Sequence, residues 1–216
     1  MSMTHTLHRK RGPGEAPGDY IVFCMAAQKR NSEGASGKLV AMLDVLAAGA
    51  PCNVGDDNRG GILTGLTLEE IRAKAGDKAY MAGVYTSLDQ VKAVLVKLKE
   101  LDTGMSVVVT GDFQEVFEVV RSAGLEPHTI NMSLGIFGKR ELLPREPVLQ
   151  ITTMCGHSMV CPDHVEHVMD LVRKSKMTAG EAARDLAKPC TCAMFNPDRA
   201  ESIISQECVG RNRECS

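Results

Sequence analysis

Between Cys155 and Cys192 the chain places four of its eight cysteines and three of its six histidines within 38 residues. The order is Cys155-Gly-His157-Ser-Met-Val-Cys161-Pro-Asp-His164-Val-Glu-His167, then a helical run, then Lys188-Pro-Cys190-Thr-Cys192. The first cysteine pair opens a helix and the second follows the next one. Two loops must therefore meet for these thiols to act together, and that requirement constrains the C-terminal fold more than any other feature of the chain.

Clustered thiols in a chain expected to stay in a reducing compartment are more often ligands or redox groups than a disulfide framework. The N-terminus, 1–18, carries His5, His8, Arg9, Lys10 and Arg11 without an apolar core, so it reads as a loose arm and the expected compartment is cytoplasmic. Thiolates suit zinc, copper(I) and iron–sulfur clusters. The spacing Cys-x5-Cys-x28-Cys-x-Cys differs from the Cys-x2–4-Cys pairs of structural zinc and from common ferredoxin patterns. A Cys-x-Cys pair tilts the reading toward an iron–sulfur cluster, of the 4Fe-4S kind, because its two sulfurs can bind different irons. Zinc is the alternative. The expected ligands are Cys155, Cys161, Cys190 and Cys192, with His157 able to replace Cys161. Buried, inert thiols are the plain alternative, one that suits Cys24 and Cys52. His164 and His167 share a helix face and read as solvated. A cysteine nucleophile at Cys155, with His157 or His128 as base, is also open.

Upstream, strand-like and helix-like segments alternate. Tyr20–Ala27, Ala79–Tyr85 and Met105–Thr110 read as strands, with Pro127–Leu134 a fourth and Val148–Thr153 a fifth. Between them Leu39, Met42, Leu43 and Leu46, and then Val91, Val94, Leu95, Leu98 and Leu101, fall at helical spacing. Thr67 with Glu70, Ser87 with Gln90, and Thr178 with Glu181 form capping boxes. Asn196-Pro197 caps and starts a last helix. This alternation predicts an α/β fold, a mainly parallel sheet with helices on both faces. A small helical cysteine-rich domain follows. The boundaries are an arm at 1–18, an α/β domain at 19–137, a charged linker at 138–147, the cysteine domain at 148–206 and a tail at 207–216.

The loop Gly34-Ala-Ser36-Gly37-Lys38 is similar in composition to a phosphate cradle, but Ser32 and Leu39 break the nucleotide-binding pattern. In a parallel sheet the carboxyl ends of the strands form a crevice. Arg30 and Lys38 would then face a small anionic ligand there. Pro51–Gly65 reads as a long glycine-rich loop in which Asp56 and Asp57 are able to hold a hard cation. A net charge of −2, the lack of tryptophan and 4% aromatic content argue against nucleic acid as a partner. No apolar run approaches a membrane span. Two functions are expected. One is a cluster protein acting as a redox component, with a redox partner protein, or as an enzyme on a small anion. The other is a zinc-stapled binding or adaptor module.

Overall fold

The computed structural model describes residues 14–132 and 135–210, with side chains described as far as Cys208. Its strands are β1 (Tyr20–Met25), β2 (Asn53–Asp56), β3 (Gly60–Gly61), β4 (Tyr80–Tyr85) and β5 (Ser106–Thr110). The helices are α1 (Ser36–Ala48), α2 (Leu68–Lys74), α3 (Leu88–Leu101), α4 (Phe113–Ser122), α5 (Glu146–Thr152), α6 (Pro162–Arg173), α7 (Ala179–Ala187) and α8 (Pro197–Gly210).

The five strands form one sheet in the order β3-β2-β4-β1-β5. Every pairing in it is antiparallel. The expected parallel sheet is therefore corrected. The units β1–α1–β2 and β4–α3–β5 each return in the direction of their first strand, but one place over. The gap in each is filled by a strand of the other: β4 lies between β1 and β2, and β1 between β4 and β5. Two interlocked split β-α-β units make the ferredoxin-like arrangement, a name for topology that says nothing of iron. A strand–helix–strand repeat is common to both architectures. Linear pattern alone does not show whether the second strand lands beside the first or skips a place.

Two further strands are corrected. Among the described residues of 127–134 there is no strand, and Ser133 and Leu134 lie outside them. Val148–Thr152 is helical instead, with Thr153 as the C-cap: Pro147 sits in the first turn of α5, whose Val148, Leu149 and Ile151 are buried. A short apolar run fits a buried strand and a buried helix equally well. Conversely, the glycine-rich 51–65 stretch contains the β2–β3 hairpin.

Alternation along the strands divides the core in two. Tyr20, Val22, Cys24, Met81 and Tyr85 face α1, α3 and α4. Ile21, Phe23, Ala82 and Val84 face the opposite way, into one apolar cluster with α5 to α8. The helical segment after the linker thus packs over the second face of the sheet. The last helix carries Cys208, placed by the sequence reading in a tail, into this core; its Sγ donates to the Met169 carbonyl at 3.5 Å. Cys215 lies outside the described residues.

Asn196 fastens the two halves together. It is fully buried, and its Oδ1 accepts from the Arg199 N–H at 3.0 Å, capping α8. Its Nδ2 donates to the Gly18 carbonyl at 3.1 Å and to Asp19 Oδ1 at 3.0 Å. Asn196→Ala removes the cap and the buried donor to Gly18 O and Asp19 Oδ1. We expect a loss of about 3 kcal/mol, the sum of a cap and lost buried hydrogen bonds. Urea unfolding measures it; a change below about 0.5 kcal/mol would show that the bonds are incidental.

Candidate metal centre

Cys190 and Cys192 sit on the short loop between α7 and α8. Backbone bonds from Cys190 N to Ala187 O (3.0 Å) and from Ala193 N to Cys190 O (3.2 Å) curl it tightly. The loop rests on the β2–β3 hairpin, and glycine is what lets it do so. A Cβ at Gly61 would lie 2.5 Å from the Ala193 Cβ, and one at Gly55 would lie 2.6 Å from it. Asn53 Nδ2 donates to the Phe195 carbonyl at 3.0 Å and ties the loop to the same edge of the sheet.

Cys155 lies in the turn after α5, where its N–H donates to Thr152 O at 3.2 Å and its carbonyl accepts from Ser158 N at 3.1 Å. All three cysteines are buried. The Cys190 and Cys192 sulfurs are 3.4 Å apart. The thiols of Cys190 and Cys192 both lie beside the Cys155 sulfur. With smaller help from the Met159 and His157 N–H groups, they hold Cys155 well below the ordinary thiol range, against the opposing effect of burial. Cys190 is pushed up to about 11, chiefly by its place beside Cys155. Cys192 is raised as well, by Cys155, then by Cys190 and burial. Proton loss is thus favoured at Cys155 and opposed at its two neighbours. Further negative charge there calls for a cation.

A third segment reaches the same point. One donor atom each from Asp57, His157 and Cys192 lie within 4.8 Å of one another. His157 is exposed and Asp57 half-buried. Among the described residues, Asp57 Oδ1 is buried without a hydrogen-bond partner. Burial raises the Asp57 carboxyl, the neighbouring His157 lowers it, and Asp56 raises it further.

Of the residues singled out by the sequence, Cys155, Cys190 and Cys192 lie side by side, and a His157 ring nitrogen comes within 4.8 Å of the Cys192 sulfur. Cys161 stands apart: it is exposed at the N-cap of α6, and its side chain makes no capping bond. The sequence places Asp57 with Asp56 as a pair able to hold a hard cation, apart from the cysteines. The structure separates the two. Asp56 is fully buried and spent on the hairpin turn, accepting from Arg59 Nη1 (2.8 Å), Asn58 N (3.0 Å) and Tyr80 N (3.2 Å). Two adjacent acidic residues in a turn of a strand pair point to opposite sides, which was the available signal. His164 pairs with Asp185 across α6 and α7, 2.9 Å from Nε2 to Oδ2, and His167 is exposed. His128 contacts its neighbour Thr129 at 2.7 Å. Cys24 is a core thiol that burial pushes up, and Cys52 donates to the Val84 carbonyl at 3.4 Å.

The crevice at the strand ends falls with the parallel sheet. Antiparallel register pairs Met25 with Tyr80 and Tyr20 with Tyr85, so Arg30, beyond β1, and Thr86, beyond β4, lie at opposite ends. Arg30 and Lys38 are both exposed. The amides of Gly34 and Ser36 at the start of α1 donate to the Asp77 carboxylate at 3.0 and 2.9 Å, which fills the place of an anion there. Those two N–H groups, Ser36 first, hold Asp77 below the usual carboxylate range.

Comparison with family models, with curated proteins and with solved structures finds no match. Among the described residues, no helix is long and apolar enough to cross a membrane.

Proposed function

We propose that the protein is a thiolate metalloprotein holding one ion of the zinc class between Cys155, Cys190, Cys192 and His157. The ion acts as a staple in a non-catalytic binding module of a reducing, cytoplasmic compartment. The observation that carries this reading is the 3.4 Å between the Cys190 and Cys192 sulfurs, with the Cys155 thiol beside them. Around a tetrahedral zinc with Zn–S of about 2.3 Å, two ligating sulfurs stand roughly 3.8 Å apart. Sulfurs on different irons of a cluster stand further apart, because each projects outward from its own iron. The Cys-x-Cys spacing that favoured a cluster in the sequence therefore favours a single ion in three dimensions. Three thiolates and an imidazole close the coordination shell, as in structural rather than catalytic zinc sites. A small anionic ligand at Arg30 and Lys38 and a redox partner protein form no part of this reading.

The test is anaerobic purification followed by elemental analysis and absorption spectroscopy. A colourless protein with about one zinc per chain is the expected result. A brown protein with stoichiometric iron would replace this reading with the cluster. Absence of both metals, with no uptake on reconstitution, would overturn the metal assignment altogether.

A further inference from the structure

The three segments that meet at the cysteines differ in one respect. Two of them, the turn after α5 and the loop before α8, belong to the helical layer on the second face of the sheet. The third, bearing Asp57, belongs to the sheet edge. Asp57 leaves β2 at the tip of a hairpin whose other strand is only Gly60–Gly61. The tip is braced from within by Asp56, which receives two backbone N–H groups and the Arg59 guanidinium. That bracing presents Asp57 to the other side, where its Oδ1 is buried with no donor among the described residues. The carboxylate comes within 4.8 Å of both the Cys192 sulfur and a His157 ring nitrogen. A buried carboxylate oxygen without a donor, beside a soft ligand set, asks for a cation or for the N–H of an imidazole bound to one. Carboxylates commonly orient ligating histidines in this way.

Resting on the metal reading above, we infer that Asp57 is the positioning residue through which the centre grips the sheet edge, so that cation uptake at the cysteines fixes the β2–β3 hairpin. Binding then does more than close two loops on each other: it clasps the edge of the sheet to the helical layer. Gly55 and Gly61 already bring the hairpin against Ala193, so the clasp closes without rearrangement of the core.

The experiment uses the full chain, stripped with a chelator and reloaded with zinc or cobalt(II). Amide hydrogen exchange is followed over 53–64 with and without zinc, in wild type and in Asp57→Asn. Cobalt(II) charge-transfer absorption counts the thiolates bound. In wild type, zinc is expected to slow exchange across the hairpin at least tenfold. In Asp57→Asn the three-thiolate absorption should persist, zinc affinity should fall about 10- to 100-fold, and hairpin protection should be lost. Melting of the metal-free forms checks that the variant folds, and Asp57→Ser serves if it does not. Wild type that binds zinc with no change at the hairpin overturns the clasp while leaving the metal reading intact. So does a variant as protected as wild type. Wild type that takes up neither metal overturns both.

Discussion

Single Cys→Ser replacements are expected to divide the cysteines into two groups. At Cys155, Cys190 and Cys192, zinc affinity should fall by roughly a hundredfold or more. Structural zinc binding amounts to about 10–16 kcal/mol shared among four ligands, so one ligand carries about 3 kcal/mol. At Cys161 affinity should stay near wild type, because that thiol is exposed at a helix cap outside the buried trio. Cys24, Cys52 and Cys208 should keep full stoichiometry. Their sulfurs are engaged elsewhere: Cys24 in the apolar core, Cys52 on the Val84 carbonyl and Cys208 on the Met169 carbonyl. Cys24→Ser sets a hydroxyl in that core and should lower stability without changing metal content, so each variant is melted as well as titrated against a chromophoric chelator. Cys215→Ser should also retain the metal. A Cys161 variant that loses metal while Cys190 or Cys192 variants keep it would show that the buried trio is not the centre.

The parts of this fold legible in the sequence are those fixed by local chemistry. The capping boxes at Thr67, Ser87 and Thr178 all form, because a hydroxyl and a carboxylate or carboxamide three residues apart reach each other's backbone N–H whatever the rest of the chain does. The Asn196-Pro197 start of the last helix is equally local. What the sequence withheld is non-local. The sheet's direction depends on which strand slips between β1 and β2, and the answer lies in β4, well down the chain. The β2–β3 hairpin hid because glycine carries no strand signature. Gly55 and Gly61 are there to admit Ala193, a contact between residues more than a hundred positions apart. The candidate centre was legible for the thiols, whose scarcity and clustering mark them. Asp57 was obscured by Asp56, since two adjacent carboxylates look alike until the strand turns one inward and one toward the cysteines.

Zinc affinity is expected to rise about a hundredfold for each unit of pH between 7.5 and 9. The reason is the unequal sharing of protons among the three sulfurs. Cys155 is already a thiolate in the metal-free protein, held low by the thiols of Cys190 and Cys192 and by the Met159 and His157 amides. Cys190, pushed up to about 11, and Cys192, also raised, keep their protons throughout that range. A zinc ion takes the deprotonated form of each ligand, so binding expels the two remaining thiol protons. Each expelled proton makes affinity change about tenfold per pH unit, upward as pH rises because fewer protons compete. Calorimetry in buffers of different ionisation heat counts the protons directly, and chelator competition gives the slope. Two protons and a hundredfold slope are expected. Release of close to three protons at pH 7.5, falling toward two as pH rises through the ordinary thiol range, would mean that Cys155 is an ordinary thiol in the free protein. The arrangement around it would then be packing rather than a preformed metal site.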